Sequence, residues 1–106
     1  MTTFDRREEA FENLFAHDEE LHFKAKSRCT KLLAGWAAGR MGRTGPAAED
    51  YAQSIVAIAV ANGSDDALVK HIHDDLQAAG VTASDVEIRA EMDRLMTESL
   101  AAVRRG

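Results

Sequence analysis

The sequence predicts an all-α protein: a four-helix bundle with a mobile, partly helical N-terminal arm. Three observations point there. Apolar residues recur every three or four positions in successive segments, helix-capping residues stand before most of those segments, and glycine or proline separates them. The expected division places the arm at residues 1–18 and the bundle, a single domain, at residues 19–106.

The bulk numbers narrow the class. With 106 residues, 45% apolar and 29% charged, the chain can build one modest core in a soluble protein. Its net charge of −5 argues against a nucleic-acid partner, whose phosphates reward an excess of Lys and Arg. Cys29 is the only cysteine, so no internal disulfide can form and a reducing compartment fits. The opening MTTFDRREEAFENLF is acidic and lacks the apolar core of a secretory signal. No apolar run approaches the length needed to cross a bilayer. A cytoplasmic protein without direct membrane insertion is expected.

In the arm, Thr2 with Asp5 three residues on makes a helix start. Phe4, Phe11, Leu14 and Phe15 share a face, with Asp5, Arg6, Arg7, Glu8, Glu9 and Glu12 among them. His17-Asp18-Glu19-Glu20 interrupts this stripe, although none of these residues forbids a helix. An isolated helix of this length is marginal in water.

The main helix is expected from about Glu19 to Arg40 or Met41, with Leu21, Ala25, Cys29, Leu32 and Trp36 as its apolar stripe. Within that stripe Cys29 reads as a small buried thiol. Gly39, Gly42 and Gly45 stop the helix, and Pro46 fits the first turn of a second, carrying Tyr51, Ala52, Ile55, Ala59 and Asn62. Ser64-Asp65-Asp66 caps a third helix with Leu68, Ile72, Leu76 and Ala79 inward, ended by Gly80. Ser84 and Glu87 form a capping box for a fourth, with Ile88, Met92, Leu95 and Ser99 on its inner face.

Little in this pattern suits catalysis. The carboxylates are spread over helix starts and polar faces rather than paired in a cleft with a nucleophile. His17, Asp18 and His22, and His71, Asp74 and Asp75, offer two ligands per face where a metal needs three or four. The rings of His71 and His73 stand about 200° apart around a helix and cannot share an ion. No catalytic residue, metal site or cofactor is expected.

Two features remain. From Leu21 to Ala48 the chain has six basic residues and no acid, and Lys24, Arg28 and Lys31 line one helix flank. The loop GRMGRTG could hold a phosphate or an adenine nucleotide, weakly binding ADP or ATP, through Arg40, Arg43 and Thr44 with Lys31 and Trp36 nearby. It lacks the Lys-Ser/Thr ending of a P-loop, and a plain helix–helix turn with solvated arginines is the simpler reading. The second feature is the arm. Three of the four Phe residues lie in its first 15 positions, where a bundle core has little use for them. Such side chains on an amphipathic helix anchor a partner's groove, unless the arm folds back on its own bundle.

The stretch FAHDEELHFKAKSRCTKLLAGWAAGRMGRTG, preceded by MTTFDRREEAFENLF, resembles the ATPase inhibitor zeta subunits of α-proteobacterial ATP synthases. The resemblance continues more loosely through Tyr51-Ala52 and the fourth helical segment. It implies a four-helix bundle whose N-terminal segment enters the catalytic α/β interface of the ATP synthase head and blocks ATP hydrolysis. Its expected partners are the α and β subunits of that head, which would hold it peripherally at the membrane. Carried over, the anchors are Phe4, Phe11 and Phe15, and Asp5, Arg6, Arg7, Glu8, Glu9 and Glu12 supply polar contacts. Leu14 stands where a basic residue is expected, and Ala34-Gly35 where Gly and an acid are expected. The alternatives are the nucleotide-binding bundle and a helical adaptor for some other partner.

Overall fold

The computed structural model describes the backbone of residues 3–62 and 64–105, and the side chains of residues 19–61 and 64–105. Four α-helices follow one another: α1 (Thr3–Arg40), α2 (Pro46–Asn62), α3 (Asp65–Ala78) and α4 (Asp85–Arg105). The helical backbone of α1 runs from the arm into the bundle without a break, consistent with the absence of a helix breaker in residues 17–20. The expected mobility of the arm concerns residues whose side chains lie outside the described residues.

Each helix end has a local cause. At the end of α1, the Arg43 N–H donates to the Ala38 carbonyl at 2.8 Å and the Gly42 N–H to that of Gly39 at 3.1 Å. This pairing needs a left-handed residue between, and Gly42 has φ +76°. The end of α3 repeats it: Val81 N–H donates to the Leu76 carbonyl at 2.9 Å across Gly80, φ +78°. Pro46 is the first residue of α2, where its missing N–H costs nothing. Ser64 Oγ accepts from the Ala67 N–H at 3.4 Å, and Ser84 Oγ from the Glu87 N–H at 3.1 Å, capping α3 and α4.

α1 packs chiefly on α2 and α4, and the shorter α3 makes smaller interfaces with α4, α2 and α1. Contacts Cys29–Met92 and Arg40–Glu87 run in opposite directions along α1 and α4, so those two are antiparallel. The core is Leu33, Tyr51, Ile55, Leu68, Val69, Ile72, Leu76, Ile88 and Leu95, with Cys29 and the alanines of α1 filling between. Burying each larger side chain stabilises the fold by roughly 1.5–3 kcal/mol.

The stripe of α1 departs from the expected one at Leu32 and Trp36. Leu33 is fully buried, whereas Leu32 is 38% exposed and Trp36 is only partly covered. Ala25, Cys29, Leu33 and Ala37 keep steps of four, and Thr30, Ala34 and Ala38 form a second row beside them. A helix that touches two large neighbours needs this wider stripe, and its small residues let both approach closely. Ala79, expected inward, is instead the exposed C-cap of α3. On α4 the expected face holds: Ile88, Leu95 and Ser99 are buried and Met92 packs against them.

Candidate functional site

The arm residues Phe4, Asp5, Arg6, Arg7, Glu8, Glu9, Phe11, Glu12 and Phe15 belong to the N-terminal part of α1. Their side chains lie outside the described residues. What the bundle contributes is the rest of that same helix, fixed from Ala25 onward by burial between α2 and α4.

The turn between α1 and α2 distributes its cations rather than gathering them. The Arg40 guanidinium lies 5.4 Å from the centre of the Trp36 ring, and its Nη2 is 3.3 Å from Glu87 Oε1. Arg43 sits over a different ring, 5.1 Å from the centre of Tyr51. These stackings each contribute about 0.5–1 kcal/mol at exposed positions. The N–H groups of Met41, Gly42 and Arg43 all donate to carbonyls of α1. They close the helix and are not free to cradle an anion. Thr44 is exposed in the turn, and Lys31 lies farther along α1 in a trough with Glu49 and Gln53 of α2. Of the five residues expected to surround a phosphate, Trp36 and Arg40 meet, while Arg43 stacks on Tyr51 and Lys31 lies apart in the α1–α2 trough.

Ion pairs tie the start of α3 to its neighbours. Lys26 Nζ reaches Asp65 Oδ1 at 3.0 Å from α1, and Arg89 Nη2 reaches Asp66 Oδ1 at 2.6 Å from α4. All four side chains are about half exposed or more, so solvent screens both pairs and they add little to stability. Cys29 is buried and its thiol donates to the Met92 carbonyl at 3.4 Å. Burial pushes this thiol's pKa up, with Asp65 adding, which disfavours the nucleophilic thiolate.

Sequence reasoning missed two arrangements. Tyr51, His71 and Asp75 meet across α2 and α3; the His–Asp spacing was legible, but their partner lies far away in sequence. Phe23 and Val60 stand exposed on either side of the α1–α2 seam. The uninterrupted apolar run of residues 55–61 was the available signal for that surface. Among the described residues, no three His, Cys, Asp or Glu side chains converge as a metal would need. No helix among them is long and apolar enough to cross a membrane.

The described residues thus form a capped four-helix bundle whose first helix continues into the arm. No curated protein matches the chain. The family model described as ATPase inhibitor subunit zeta matches residues 1–102, so the chain belongs to the family of ATPase inhibitor zeta subunits.

Proposed function

We propose that this protein inhibits ATP hydrolysis by the F-type ATP synthase, with its arm inserting at the catalytic α/β interface of the head. The observation that carries this reading is the extent of the family match. It begins at residue 1, so the arm belongs to the sequence that defines the inhibitor family along with the bundle. Phe4, Phe11 and Phe15 are the anchors, and Asp5, Arg6, Arg7, Glu8, Glu9 and Glu12 contact the walls of the interface. Aromatic side chains on one helical face supply most of the binding energy in such a mode, while flanking charges set register and approach.

The mechanism is steric and non-enzymatic. Hydrolysis requires the catalytic interface to close in turn, and a helix wedged there stops that cycle. The bundle is the handle that keeps the arm folded onto a rigid body. Binding is to the α and β subunits, at the membrane periphery and on the cytoplasmic side.

Titrating the cognate head with the full chain, and with a chain lacking residues 1–18, tests this reading. Inhibition by the full chain alone is expected. Equal inhibition by both would move the inhibitory element into the bundle.

A further inference from the structure

The seam between α1 and α2 carries apolar surface that the bundle does not use. Residues 55–61 are apolar throughout, yet only Ile55 is buried, and Val60 is 81% exposed. A helix apolar on all sides is ordinarily enclosed on all sides. Across the seam Phe23 is 72% exposed. With Ser27, Thr30, Val56 and Ala59, these two residues line an open groove of about 410 Å³. A second trough, bounded by Lys31, Glu49 and Gln53, shares Val56 and continues the groove along α2. Together they follow α2 for about 16 Å, roughly three helical turns.

The wall formed by α1 is basic. Lys26 lines the groove and Lys31 the second trough, and Lys24 and Arg28 are exposed at helical spacing on the same helix. Lys26 pairs with Asp65 at 3.0 Å and Lys24 with Glu20 at 3.3 Å, both solvated, and neither Arg28 nor Lys31 is ion-paired among the described residues. Glu49 is the one acid on the lining, at the far end. An apolar trough three turns long with one cationic wall suits an amphipathic helix whose flank is acidic.

Position on α1 says where such a helix comes from. The arm and the wall of the groove are parts of one continuous helix, Thr3–Arg40. Phe23 follows Phe15 by about 12 Å along it. A surface that seats the arm therefore lies within reach of the groove. We infer that the α1–α2 seam is a second contact surface on the ATP synthase head, receiving a helix of the head with an apolar face and an acidic flank. This inference rests on the inhibitor reading for the identity of the partner.

The test uses the full chain and the purified cognate head. Phe23→Asp with Val60→Asp puts two carboxylates into the groove at exposed positions; Arg28→Glu with Lys31→Glu reverses two unpaired charges on the α1 flank, one of them on the trough lining. Thermal melts by circular dichroism check that both variants fold. Binding is read by biolayer interferometry and inhibition by ATP hydrolysis. The aspartate pair should raise the dissociation constant at least tenfold, with inhibition still complete at saturation because the arm is intact. The glutamate pair should slow association and flatten its salt dependence.

Variants that bind the head as tightly as wild type overturn the inference while leaving the inhibitor reading in place. Wild-type binding without inhibition does the reverse. A wild type that fails to bind the head removes the seam's assignment, and the hydrolysis assay then judges inhibition by itself. Two further outcomes overturn it by reassigning the face. With head binding unchanged in the variants, loss of wild-type binding to phosphatidylglycerol vesicles would assign the seam to a membrane surface. Loss of a wild-type concentration-dependent dimer would assign it to a second copy.

Discussion

The Tyr51 hydroxyl donates to Asp75 Oδ2 at 2.9 Å, and His71 Nε2 lies 3.2 Å from the same oxygen. This junction fastens α2 to α3 at the end of the bundle where α1 turns into α2. Burial pushes the Tyr51 pKa well above that of a free phenol, the bond to Asp75 raises it further, and Arg43 opposes the shift.

Replacing Tyr51 by Phe should cost about 1 kcal/mol at neutral pH through the lost hydrogen bond. The pH dependence has a definite sign. An unfolded tyrosine ionises near pH 10, while the folded group keeps its proton. Its contribution is complete below about pH 10 and is lost as pH rises beyond, because the unfolded state then gains by ionising. Urea midpoints of wild type should therefore fall above about pH 10 more steeply than those of Tyr51→Phe. Parallel alkaline slopes would dissociate Tyr51 from this effect.

Leu32 and Leu33 form a matched pair for the register of α1. Leu33 is fully buried and Leu32 is 38% exposed. Leu33→Ala should cost about 3 kcal/mol through the cavity it leaves. Leu32→Ala should change stability by no more than about 0.5 kcal/mol, as at other surface sites. Chemical denaturation of the two variants separates them, and equal losses would contradict the packing of α1 between α2 and α4.

That pair also marks where sequence stops informing. Helix ends were legible because their causes are local: Pro46 opens α2, Ser64 and Ser84 cap α3 and α4, and Gly42 and Gly80 take left-handed turns. The inner face of α4 was legible because its large apolar residues Ile88, Met92 and Leu95 fall on one face of the helix. The stripe of α1 was not, since alanine and leucine occur on several of its faces and only its two neighbours decide which are covered. The same reason hid the pairing of Tyr51 with Asp75 and the separate rings engaged by Arg40 and Arg43. These depend on how helices dock, which periodicity alone does not encode.

Two glycines should respond in opposite directions. Gly80→Ala forces a left-handed alanine at φ +78° and should destabilise by about 1 kcal/mol. Gly35 lies within α1 with nothing inside 4 Å of an added Cβ. Gly35→Ala should stabilise by up to about 1 kcal/mol through helix propensity. Melting temperatures moving the same way would refute one assignment.

Cys29 should behave as a reporter of opening. Its thiol is 4% exposed and bonded to the Met92 carbonyl. Modification by a soluble thiol reagent should be at least ~100-fold slower in the native protein than in denaturant, because it waits for α1 and α4 to separate. A native rate matching the denatured one would mean that this interface opens freely.

The most direct measurement concerns the arm's aromatic face within an intact chain. ATP hydrolysis by the cognate head is titrated with wild type and with the Phe4→Ala, Phe11→Ala, Phe15→Ala variant. Loss of three buried anchors should raise the half-inhibiting concentration at least ~100-fold. The bundle's melting temperature should stay where it was, since the core described here begins at Ala25. Inhibition by the variant at the wild-type concentration would contradict the arm as the inhibitory element.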